Sequence, residues 1–165
     1  MLAFRCEQGV FNYRVAAVLM RRDSLLIHRA PADDFWALPG GRVEFGETSS
    51  DALVREFREE IGIRVEVERL LWLVENFFGA PGDPYHEISL YYSVQALDPL
   101  PAGPEFPGRT EDMDPPLVFR WQSLATLAEI PLYPTFLASG LRDLPSQIGH
   151  IVHRDGSAWP KPRRV

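Results

Sequence analysis

The stretch from Leu38 to Ile63, LPGGRVEFGETSSDALVREFREEIGI, narrows the folds open to this chain more than any other. In it a glycine-rich loop, a carboxylate-rich helix and a terminating glycine follow one another without interruption. Thr48 and Asp51 stand three apart, so the threonine can accept from backbone N–H groups of a first helical turn while Asp51 reaches back. Gly62 adopts the left-handed cap conformation without steric cost and ends the helix, which spans roughly 48–61. Leu53, Phe57 and Ile61 recur every four residues as an apolar stripe. Glu56, Glu59 and Glu60, related by three and four, share the other face.

Carboxylates this close repel, and Arg55 and Arg58 relieve them only in part. The preceding Pro39-Gly40-Gly41 lets backbone approach a ligand closely, and hard divalent cations take oxygen from carboxylates, carbonyls and water. A carbonyl near Gly40 completes such a set. Mg²⁺ keeps several waters and joins a few carboxylates to substrate phosphates, so an open cluster beside a glycine turn suits phosphate chemistry.

These residues resemble the signature of the Nudix (MutT-type) hydrolases over residues 41–63. Gly41, Glu47, Arg55, Glu56, Phe57, Glu59, Glu60, Gly62 and Ile63 fill its specified positions without departure. The resemblance implies an α/β fold, an α/β/α sandwich around a mixed β-sheet. It also implies hydrolysis, dependent on Mg²⁺ or alternatively Mn²⁺, of the pyrophosphate linkage in a small nucleotide. Triphosphates stand slightly ahead of ADP-ribose and nucleotide sugars; Pro81 lies near, though not at, the proline position of some ADP-ribose-cleaving members. A sensor without catalysis is the rival from another class, and the intact signature weighs against it. By motif position Glu56, Glu59, Glu60 and the Gly40 carbonyl correspond to metal ligands, Arg55 to the arginine that orients a catalytic glutamate, and Glu47 to a support of the loop. Many members dimerise, so a homodimer is an admissible partner.

The general base stays open between Glu56 and the proline-rich segment, with its six prolines from Pro99 to Pro116. That segment offers Glu105, Glu111 and Asp112; long loops in compact domains are often functional, and Glu111 is the preferred choice. Glu87, beside His86, is a third option. For a nucleobase, Phe11, Tyr13, Asn76, Phe77, Phe78 and Tyr85 supply aromatic faces and a polar group, while Arg14 and Arg29 are candidates for phosphate. Trp36 reads as core.

With 165 residues, 45% of them hydrophobic, the chain is expected to form one domain, 1–165, with 155–165 a flexible basic tail. The net charge of −6 argues against a broad footprint on nucleic acid or an anionic membrane. Cys6 is the sole cysteine, which precludes an intramolecular disulfide and fits a reducing cytoplasm. No apolar run has the length of a membrane span.

Apolar patterning predicts paired strands over 13–20 and 24–30, then a long strand over 64–78 broken by a bulge. A turn at 79–83 leads to a hairpin partner over 88–96, and further short strands are expected at 118–121 and 148–153. Segments 123–127 and 133–144 read as helical.

Overall fold

A computed structural model describes residues 1–109 and 115–155. Its strands are β1 (Ala3–Cys6), β2 (Gly9–Arg21), β3 (Ser24–Arg29), β4 (Val65–Ala80), β5 (Asp83–Ala96), β6 (Glu105–Pro107), β7 (Val118–Ser123) and β8 (Gly149–Arg154). Helix α1 is Ser49–Glu60, a 3-10 helix covers Leu124–Glu129, and α2 is Leu137–Gly140. The sheet runs β6-β7-β3-β2-β5-β4-β8, with β1 pairing the start of β2. β2 lies parallel to β5 and β4 to β8, while the remaining pairs are antiparallel, so the sheet is mixed.

Strand alternation distributes the apolar run of β2 to two cores. Val15, Ala17 and Leu19 face one, where Ala52, Leu53 and Phe57 of α1 cover the sheet. Ala16 and Val18 face the other, closed by Leu127, Leu137 and Leu141 around the 3-10 helix and α2. A central strand covered on both faces needs such an uninterrupted apolar run. The expected α/β/α layering is therefore present, although its second helical layer is thin.

The segment expected to be helical over 133–144 is helical only from Leu137 to Gly140. Pro134 precedes it, Gly140 lowers its propensity and Pro145 follows, so a longer helix lacks local support. β4 has the expected irregularity, with register shifts between Val67 and Arg69 and between Leu70 and Trp72. β1 and β6 are additions to the sequence reading. The latter arises within the proline-rich segment and tolerates Pro107 because it lies at the sheet edge, pairing β7 alone. Trp36 is buried, as expected, and Cys6 is exposed and free. The basic tail beyond Asp155 lies outside the described residues, and among those described no helix is long and apolar enough to cross a membrane.

Phe57 is the largest side chain that α1 buries, at 1% exposure. Phe57→Ala is expected to destabilise the fold by about 3–5 kcal/mol, through lost burial and the cavity left behind, measured by urea unfolding. A loss below about 1 kcal/mol would show that α1 is not anchored through this ring.

Candidate active site

The glycine loop is held as though it were another strand. Val15 N–H donates to the Gly41 carbonyl at 2.9 Å, Ala17 N–H to Pro39 at 2.8 Å, and Val43 N–H to Tyr13 at 3.1 Å. Gly40 has φ +142°, and a Cβ there would collide with the Val15 carbonyl. A side chain at Gly41 would instead collide with the Glu56 carboxylate. Glycine is thus required twice, once to press the loop onto β2 and once to admit a carboxylate. The Gly40 carbonyl is not used by that ladder and accepts from Arg14 Nη2 at 3.2 Å.

Helix α1 begins as its sequence dictates: the Thr48 side chain accepts from Asp51 N–H. Asp51 returns the contact through its carboxylate, which accepts from the Thr48 hydroxyl at 2.6 Å. The fixed start sets the direction of the glutamate face. Arg55 lies at its centre, with Nη1 3.0 Å from both Glu56 Oε1 and Glu59 Oε2. Its Nη2 donates to Glu47 Oε1 at 2.8 Å and to the Arg42 carbonyl at 3.1 Å. Glu47 also accepts from Glu44 N–H at 2.6 Å, so it touches both the loop and the arginine.

Gly40, Gly41, Arg55, Glu56, Glu59 and Glu60 line a cleft of about 1000 Å³. Asn76 and Phe78 of the expected base-binding set line it, whereas Phe11, Tyr13, Phe77 and Tyr85 do not. Arg14 and Arg29 both face it. Glu87 is 95% buried at its wall, where it accepts from Asn12 Nδ2 and Ser89 Oγ, each at 2.6 Å. Glu105 is exposed on β6 and does not line the cleft; Glu111 and Asp112 lie outside the described residues. The sequence reading missed Phe35 and Tyr133, an edge-to-face pair with centroids 5.7 Å apart at the cleft, and His28 on β3. A histidine amid the apolar residues of β3 was the available signal for the last.

Electrostatically the glutamates are strained. Burial, reinforced by the neighbouring Glu56 carboxylate, pushes Glu60 up to about 8, and burial also raises Glu56 against the pull of Arg55. Hydrogen bonding to Arg55 holds Glu47 below the usual carboxylate range. Burial holds His28 down to about 3, so its 3.9 Å approach to Glu60 Oε2 is not an ion pair at neutral pH. Among the described residues, no three histidine, cysteine, aspartate or glutamate side chains already converge as a cation-binding group. Arg55 bridges Glu56 and Glu59 instead. The donors nevertheless fit a hard divalent cation: crowded carboxylates whose repulsion a cation would relieve, a Gly40 carbonyl that would exchange its Arg14 donor for the ion, and a glycine that clears space for Glu56.

The sign of the resulting pH dependence follows from the direction of the Glu60 shift. The folded protein retains a proton on Glu60 between about 4.5 and 8 that the unfolded chain releases, so stability falls as pH rises through that window. His28 opposes this only below its unfolded value of 6.5. Without divalent cations, stability is therefore expected to drop by about 2 kcal/mol from pH 6.5 to 8.5, and Glu60→Gln to flatten that slope. Urea unfolding across this range checks it; an unchanged slope in the variant would remove Glu60 as its source.

The NUDIX domain family model matches residues 10–140. A MutT-like protein of Streptomyces ambofaciens is 44% identical over 63 residues, covering 38% of this chain and 41% of its own length. The CTP pyrophosphohydrolase of Escherichia coli K12 is 42% identical over 57 residues, 32% of this chain and 42% of that protein. The chain thus spans less than half the length of these curated relatives. The crystal structure of the MutT protein from Bacillus halodurans superposes with a TM-score of 0.61 at 16% identity, covering 87% of this chain and 89% of the other. The matched domain contains both the glycine loop and the glutamate helix described above, and the chain belongs to the NUDIX domain family.

Proposed function

We propose that this protein hydrolyses the pyrophosphate linkage of a small nucleotide with the help of a divalent cation, Mg²⁺ or Mn²⁺. The observation that carries the reading is Glu56, Glu59 and Glu60 lining one cleft together with Gly40, with Arg55 and Glu47 holding the glutamate face in place. Glu56, Glu59, Glu60 and Gly40 would hold the cation, which when bound would offset the negative charge gathering on the anhydride oxygens and help to activate water.

The chain's own groups supply the rest. Glu56 is our general base among the described residues: burial raises its proton affinity, and Arg55 fixes its orientation at 3.0 Å. It takes the proton of the attacking water as the new P–O bond forms, and the bridging P–O bond breaks to release a phosphate product. Glu111 remains the alternative base from the proline-rich segment. Arg14, whose charge acts on both Glu56 and Glu60, keeps the carboxylate end receptive to an anionic substrate. A triphosphate is the preferred class, by analogy with the CTP pyrophosphohydrolase, and ADP-ribose-like diphosphates come second. The protein's single cysteine suits work in the cytoplasm.

The test is product release from triphosphates, ADP-ribose and nucleotide sugars, with Mg²⁺, with Mn²⁺ and with chelator. Turnover of one class that stops on chelation is expected. Glu59→Gln and Glu60→Gln should each lower kcat at least about 100-fold while circular dichroism is unchanged. Undiminished turnover by the folded double variant would refute the site assignment.

A further inference from the structure

His28 sits on β3 in the wall of the cleft and is 7% exposed. The backbone carbonyl of Leu38 interacts with its ring, and the ring nitrogen left without a hydrogen-bond partner is Nδ1. With the proton assigned to Nε2, Nδ1 presents an unpaired acceptor inside the protein. A buried acceptor left unmatched is destabilising, and such orphans call for an explanation when they border a cleft. Glu60 Oε2 lies 3.9 Å from His28 Nδ1.

That separation is too long for a hydrogen bond and short enough for a shared ion. Two donors each about 2.1 Å from one cation lie at most about 4.2 Å apart, and a small rotation of the Glu60 side chain brings the pair to the closer spacing of adjacent coordination positions. Imidazole nitrogen is a poor donor to Mg²⁺ but a good one to first-row transition cations. We infer that His28 Nδ1 is a nitrogen donor to the cation site, alongside Glu60, and that it shifts the site's preference from Mg²⁺ towards a transition cation such as Mn²⁺. This rests on the reading of the glutamate face as a cation site, and adds to it a ligand from a different strand and a metal preference.

The experiment uses the full chain with Mn²⁺ and no substrate. Electron spin-echo modulation of bound Mn²⁺ should show nitrogen coupling that changes when histidine is labelled with ¹⁵N and disappears in His28→Gln. Titration calorimetry should show the Mn²⁺ to Mg²⁺ affinity ratio falling at least about fivefold in that variant. Mn²⁺ bound in a Glu60-dependent way without nitrogen coupling would overturn the role of His28 while leaving the carboxylate site standing. Failure of the wild-type chain to bind Mn²⁺, or undiminished binding in Glu60→Gln, would overturn the carboxylate site and this inference with it. The coupling is measured on the wild-type chain, so the test holds even where His28→Gln does not fold.

Discussion

The close approach of Pro39-Gly40-Gly41 to β2 is the constraint on which the site depends. Three backbone hydrogen bonds tie the loop to Tyr13, Val15 and Ala17, and these form only because no Cβ stands between Gly40 and the Val15 carbonyl. The loop leads on to α1, whose start the Thr48 cap sets and which carries the glutamates. The loop forms part of the cleft wall, and its Gly40 carbonyl accepts from Arg14. The side of Gly41 away from β2 is where the Glu56 carboxylate rests, so loop and helix are fitted to each other at a single pair of glycines.

Charge is distributed around that pair with a bias. Arg55 reaches Glu47, Glu56 and Glu59, yet the largest influence on both Glu56 and Glu60 is burial, which opposes ionisation. One arginine cannot neutralise three carboxylates and brace a fourth. The arrangement keeps unspent attraction for a cation, while Arg14 contributes positive charge from the β2 side. Such tension is common where function depends on shifted proton affinities, and it accompanies a cost in stability that a purely structural ion-pair network would not carry.

The sheet contributes by separating two packing faces. Alternation along β2 sends Val15 and Ala17 to the core under α1 and Ala16 and Val18 to the core under the 3-10 helix and α2. With both faces filled, the cleft is left to form beside the glycine loop. Phe35 and Tyr133, from segments far apart in the chain, meet in its lining.

What the sequence by itself determined is local. The Thr48 cap, the Gly62 stop, the glutamate spacing and the apolar runs of β2, β4 and β5 are written in neighbouring residues, because capping and periodicity act over one to four positions. Tertiary structure alone decided which distant groups joined them. Position in the chain does not reveal that His28 would face Glu60 across the cleft, that Phe35 would meet Tyr133, or that Asn12 and Ser89 would converge on Glu87. Those pairings depend on strand order and register, with β2 lying between β3 and β5, and that order follows from how two cores are filled at once. The shortness of α2 has a local cause, Pro134, Gly140 and Pro145, whereas its use as a cover for Trp72 and Tyr91, together with Phe136, was decided by the tertiary structure.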